Sequence, residues 1–230
     1  MKVMMNLISL LLISSLFLNS DEAKKTTFLN KEEISYFKET AFYNNRLNRW
    51  EKPVLIEIKG KPSKEDIKQL SALVKEIAPY LGNTSIQIVK NNGNLIFHFE
   101  SNLSQFDENP AFKNDKIPLG FMKPVLSKQN QFIKAEVFIH PAIIATKRYE
   151  VLRHEFCHSL GLMSHSFKAF QSSNLLGKTV YKDLKDYESS LSEQNIPNLD
   201  KMAIKFLYQD IKSTNYSKKD FDRDYSKFAR

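Results

Sequence analysis

The stretch from Glu150 to Ser166, EVLRHEFCHSLGLMSHS, constrains the fold more than any other part of the chain. On a helix, Phe156 and Leu160 point one way, while His154 and His158, four residues apart, share the opposite face. Such a helix must be pinned to a core by its back and must leave its front at a surface or cleft. The helical pattern predicts a helix over residues 146–161. Gly161 ends it, since only glycine enters a left-handed cap without steric cost.

The rest of the chain reads as the scaffold for that helix. With 230 residues, 42% hydrophobic and 12% aromatic, there is enough apolar material for one globular domain and too little for two large ones. Asn30 and Glu33 have capping-box spacing and predict a helix that ends before Trp50. PVLIEIKG alternates and stops at Gly60, as a strand does. Ser63 and Asp66 cap a helix over 63–81 with an apolar stripe of Ile67, Leu70, Leu73, Val74, Ile77 and Leu81. TSIQIVK and NLIFHFE flank an Asn-Gly turn and predict a hairpin. Residues 101–130 have no period and read as irregular; FIKAEVFIH is a further strand, and PNLDKMAIKFLYQ a short final helix. The fold class is α+β, a small mixed sheet packed on the helices 63–81 and 146–161, with a loop-rich C-terminal half. Residues 21–50 read as an N-terminal helical segment, 51–210 as one domain, and 211–230 as a charged, flexible tail.

MKVMMNLISLLLISSLFLNS has the order of a secretory signal, an early lysine, then an apolar run, then small and polar residues. Residues 1–20 are therefore expected to be removed, and the chain to be exported to a periplasmic or extracellular site. Cys157 is the only cysteine, so no internal disulfide can form. The net charge of +8 favours weak association with anionic envelope or surface polymers. No basic cluster of the nucleic-acid type occurs, so no specific nucleic acid is expected, and the chain reads as a monomer.

In HEFCH the spacing of His154 and His158 brings two imidazoles close enough to hold one metal ion. Glu155 lies about 100° around the helix axis, beside such an ion. There it can take a proton from water and later give it to a leaving amine. The motif is short and also occurs in helices that bind nothing. Here it follows a strand, is closed by Gly161, has another histidine just beyond, and lies in a chain with an export signal. Together these predict a catalytic zinc site. The third ligand has to return from beyond the turn. Ser164 and His165 are the first candidates, and serine ligates zinc poorly, so His165 is assigned. The carboxylates of Asp183, Asp186, Glu188 and Glu193 compete for that place. Cys157 and Trp50 read as packing residues, His98 as an ordinary surface or half-buried residue, and Arg148 and Arg153 as solvated.

With this motif in view, the chain resembles the metzincin metallopeptidases, whose signature HExxHxxGxxH precedes a methionine-containing turn. His154, Glu155, His158 and Gly161 match position by position. The third histidine of the signature falls at Ser164, so the resemblance carries that ligand to His165 with the register shifted by one. IPNLDKMAIKFLYQ is similar to the helix after the methionine turn, although no methionine stands just upstream in YKDLKDYESSLSEQ. Tyr187 resembles the tyrosine of that turn, which implies contact with the metal or the transition state. The layout of RLNRWEKPVLIEIKG and YEVLRHEFCHSLGL is closer still to an uncharacterised family of exported bacterial proteases in the same superfamily, over roughly residues 30–210. The resemblance implies a metzincin-like fold and a secreted zinc-dependent endopeptidase with Glu155 as general base and acid. Its substrate, a peptide or protein, would lie extended along an edge strand, with FIKAEVFIH the candidate. The alternative reading is an exported, zinc-stabilised binding or envelope protein on a protease-like fold.

Overall fold

In the computed structural model, residues 29–99, 119–141, 143, 145–185 and 194–225 are described. The signal-like residues 1–20 and Tyr187 lie outside them. Helix α1 (Lys31–Thr40) starts at the expected capping box, with Asn30 and Glu33 bonded reciprocally. It stops short of Trp50 because the chain then forms a two-residue turn. Asn44 and Asn45 have φ of 51° and 62°, which joins β1 (Phe42–Tyr43) to β2 (Arg46–Leu47) as a hairpin. The helix expected over this stretch is thus a helix plus a hairpin.

β3 (Val54–Gly60) follows, then α2 (Lys64–Ile77), whose N-terminus is the expected Ser63–Asp66 capping box. Of its apolar stripe, Leu70, Leu73 and Ile77 are buried, whereas Ile67 is exposed. β4 (Ile86–Val89) and β5 (Leu95–Phe99) do not pair with each other. Both lie parallel to β3, one on each side, so the expected hairpin is overturned. The Asn-Gly segment instead carries the chain across β3, where Gly93 N–H donates to Glu57 Oε2 at 2.9 Å and Asn94 N–H to the Leu55 carbonyl at 2.9 Å. A turn sequence fixes local φ and ψ but not which neighbour the next strand finds.

β6 (Gly120–Leu126) lies inside the stretch expected to be irregular, and β7 (Phe132–Ile139) is the strand FIKAEVFI. The sheet order is β4-β3-β5-β7-β6, with β6 antiparallel to β7 and the other pairs parallel. β7 is therefore interior, and the strand on that edge is β6, not FIKAEVFIH as expected. Pro124 sits in β6, a place that an edge strand tolerates because one side of its ladder is unused.

The motif helix is α3 (Ala145–Ser159). Past it, β8 (Ala169–Phe170) and β9 (Lys178–Thr179) make a minimal ladder. α4 (Asn198–Lys205) continues as a π turn over Phe206–Asp210, and α5 (Lys218–Tyr225) closes the described chain. The architecture is a mixed α/β arrangement of one small mixed sheet and five α-helices among the described residues. Val54, Ile56, Leu95, Phe97, Ala135 and Val137 of the sheet share one core with Leu70 and Leu73 of α2 and Phe156 of α3. Phe221 of α5 is buried in the same core, with its ring 5.3 Å from Phe37 and 5.6 Å from Phe42. Part of the expected flexible tail is therefore packed helix. Residues on both sides of positions 50 and 210 join one core, so those expected boundaries separate no packing units.

Candidate metal centre

α3 is held by its back and by its end. Phe156, Cys157 and Leu160 are fully buried, and Trp50 Nε1 donates to the Ser159 carbonyl at 2.8 Å. Gly161 N–H reaches the His158 carbonyl at 3.0 Å and Leu162 N–H the Cys157 carbonyl at 3.3 Å, the paired bonds of a Schellman cap. Gly161 has φ +110°, and a Cβ there would lie 2.2 Å from the Asn48 carbonyl oxygen. Backbone conformation and packing both demand glycine.

The turn brings His165 back to the helix. Ser164 N–H donates to the Thr40 carbonyl and its hydroxyl to the Phe42 carbonyl, each at 2.9 Å. Ser166 N–H donates to the Leu176 carbonyl at 2.7 Å. Between these anchors the imidazole of His165 faces His154 and His158. The position where the signature places histidine is occupied by a staple to the N-terminal hairpin, which is the physical content of the one-residue offset.

The three Nε2 atoms converge. His154 and His158 are 3.1 Å apart, His158 and His165 3.3 Å, and His154 and His165 2.9 Å. His154 Nδ1 donates to the Leu175 carbonyl at 3.0 Å and His158 Nδ1 to the Leu162 carbonyl. With those protons spent outward, the lone pairs of both Nε2 atoms point inward. Burial, then the neighbouring histidines, push His158 down to about 3 and His154 to about 4, so both rings are neutral near pH 7. Neutral nitrogens facing one another so closely repel, and a cation between them relieves that. Ligand nitrogens about 2.05 Å from a tetrahedral ion stand about 3.3 Å apart, close to the separations here. The donor set fits zinc.

No protein-family model matches the chain, and no curated protein does either.

Beside the histidines opens a cleft of about 620 Å³, lined by β6 on one side and by Tyr43, Met163 and α3 on the others. Glu155 reaches it from α3, and burial pushes its carboxyl up to about 8. β6 closes tightly over this residue because Gly120 has no side chain. A Cβ there would lie 2.9 Å from Glu155 Cγ and 2.6 Å from Val151 Cγ1. Asp183 is exposed and is not part of the histidine group, while Asp186, Glu188 and Glu193 lie outside the described residues. Cys157 is inert packing, its thiol pushed up by burial. Trp50 is buried, and His98 stacks on Phe138 at 4.4 Å. Neither arginine is solvated as expected. Arg148 Nε donates to the buried Asp66 at 2.8 Å, and the buried Arg153 donates to the Asn195 carbonyl at 2.6 Å.

Two residues that sequence reasoning passed over stand behind His154. Tyr36 of α1 donates its hydroxyl to Asp200 Oδ1 of α4. Asp200 Oδ2 accepts from Leu175 N–H at 3.0 Å, and Tyr36 Oη accepts from Leu176 N–H at 3.3 Å. One signal for Asp200 was available, a lone acid on the stripe it shares with Ala203 and Ile204. Tyr36, among Ile34 and Phe37, gave none.

Burial pushes the Asp200 carboxyl up to about 7, against the opposing hydrogen bonds from Tyr36 and Leu175. The folded value lies above the ordinary 3.8, so the native state keeps a proton that the unfolded chain has released. Stability from this group is complete below about pH 4 and is lost as pH rises through about 7. Asp200→Asn, which cannot titrate, should gain on the wild type across that window by up to roughly 4 kcal/mol, at about 1.4 kcal/mol per unit. Urea unfolding of both proteins at about pH 4.5 and pH 7.5 measures the difference. A pH-independent gap would rule it out.

Proposed function

We propose that the protein is an exported zinc-dependent endopeptidase of metzincin-like architecture, with His154, His158 and His165 as ligands. One observation carries the reading. Three imidazole Nε2 atoms converge within 2.9–3.3 Å at the side of a cleft that also receives the Glu155 carboxyl. The metzincin-like part is supported by the motif helix, its Gly161 turn and the returning histidine, together with an antiparallel strand at the edge of the sheet above the helix.

Zinc, when bound, supplies Lewis acidity to the scissile carbonyl and to water. The chain's own residues do the rest. Glu155 takes a proton from the attacking water and returns it to the leaving amine, as its place in the cleft beside the histidines allows. The outer edge of β6 has no strand partner among the described residues, so an extended peptide can add to it by main-chain hydrogen bonds. Phe121, Met122 and Val151 give the cleft apolar walls for peptide side chains. The substrate is a peptide or protein, and the basic surface adds weak affinity for anionic polymers. Among the described residues no helix is long and apolar enough to cross a membrane.

Zinc titration of the wild type beside His165→Ala and Ser164→Ala tests the ligand set. His165→Ala should weaken binding by more than the roughly 10–100-fold that loss of an outer-shell partner costs. Ser164→Ala should keep one zinc per chain, because its hydroxyl staples backbone and does not face the metal. Equal affinity of His165→Ala and wild type would remove His165 from the site. Absence of stoichiometric zinc in the wild type would end the reading altogether.

A further inference from the structure

The hydrogen bonds behind His154 form a continuous chain. Its Nδ1–H donates to the carbonyl of the Leu175–Leu176 peptide at 3.0 Å. The N–H of that same peptide donates to Tyr36 Oη at 3.3 Å, and the Tyr36 hydroxyl donates in turn to Asp200. A second limb runs from Leu175 N–H to the other oxygen of Asp200 at 3.0 Å. Both Tyr36 and Asp200 are wholly buried, and they come from helices 164 residues apart in the sequence.

We infer that Tyr36 and Asp200 are positioning residues for the metal centre, acting on His154 through the Leu175–Leu176 peptide. The inference rests on the zinc reading above. Each bond in such a chain polarises the next, so the Asp200 oxygen that accepts at its far end strengthens the Leu175 carbonyl as an acceptor. A stronger acceptor holds His154 in its Nδ1–H tautomer, orients the ring, and makes Nε2 a better donor to zinc. The next peptide, Leu176–Gly177, is held as well, since its Leu176 carbonyl accepts from Ser166 N–H, next to His165. The same loop therefore sets two of the three ligands. Tyr36 further ties the centre to α1, so the helix that precedes the sheet is part of the functional unit and not a detachable preface.

The test compares zinc affinity, by competition with a chromophoric chelator, for wild type, Tyr36→Phe, Asp200→Asn and Tyr208→Phe. Tyr208 is the control for loss of a tyrosine hydroxyl, since its oxygen accepts from Trp50 N–H at 3.2 Å away from this chain of bonds. Tyr36→Phe and Asp200→Asn should each raise the zinc Kd about 10-fold or more, while Tyr208→Phe leaves it within about 2-fold. Nitrogen-15 NMR of the metal-free wild type should show His154 as the Nδ1–H tautomer, with the Nε2–H form growing in both variants. Folded variants that bind zinc as tightly as wild type overturn the inference and leave the zinc reading intact. So does an equal loss in Tyr208→Phe. An Nε2–H tautomer in the wild type overturns it even if neither variant folds. A wild type without stoichiometric zinc removes both the inference and the reading beneath it.

Discussion

Glu155→Gln should lower peptide hydrolysis by about 1000-fold, within the range general acid–base catalysis contributes, while zinc content stays at the wild-type level. Glutamine keeps the size and the polar reach of glutamate but cannot take a proton from water. The carboxyl belongs to the cleft and not to the converging nitrogens, so its loss removes no ligand. The fold should tolerate the change, because glutamine fills nearly the same volume as glutamate. The measurement is hydrolysis of a broad fluorogenic peptide library alongside metal analysis of the same preparations. Activity within about tenfold of wild type would deny Glu155 the role of base. A wild type that binds zinc and cleaves nothing in the library would favour the alternative, a zinc-stabilised exported binding protein.

Gly161→Ala should cost about 4 kcal/mol of stability, the sum of two independent penalties of roughly 1–3 kcal/mol each. The first is backbone strain, since φ of +110° is disfavoured for any residue with a Cβ. The second is overpacking, as that Cβ would meet the Asn48 carbonyl oxygen at 2.2 Å and Leu207 Cδ2 at 2.7 Å. Leu207 can rotate, but the Asn48 carbonyl is backbone and cannot. For a chain of this size the melting temperature should fall by roughly 10 °C. Zinc affinity should fall as well, because the turn carries His165. A variant that loses less than about 1 kcal/mol would mean that the turn does not sit against Asn48 as described.

The α3 helix, its apolar back and its glycine stop were legible because they depend on residues within a few positions of one another. The same holds for both capping boxes, whose donors and acceptors are three residues apart. What escaped was long-range. The Asn-Gly segment contains a local turn signal, yet β4 and β5 flank β3, because pairing was decided by which strand offered a free edge and an apolar face. β6 was hidden by its composition, with Gly120, Lys123 and Pro124 weakening the strand pattern. Its place at the sheet edge explains that composition, since an edge strand beside a cleft needs neither a full ladder nor a continuous apolar face. Asn44 and Asn45 hid a hairpin inside a helical pattern, because asparagine at two successive left-handed positions reads as an ordinary polar pair.

The sequence by itself determined the histidine pair on one helix face, the adjacent carboxyl and the glycine that turns the chain back. Helical periodicity and the absence of a Cβ are local properties. Only the tertiary structure shows which of Ser164 and His165 joins the helix histidines, because that depends on the backbone carbonyls of Thr40 and Phe42, more than 120 residues away, which take the serine and leave His165 to face His154 and His158. It alone decided that β6 covers the cleft and that Tyr36 and Asp200 stand behind His154. Those contacts join segments with no sequence relation to one another, brought together by burial of a shared core.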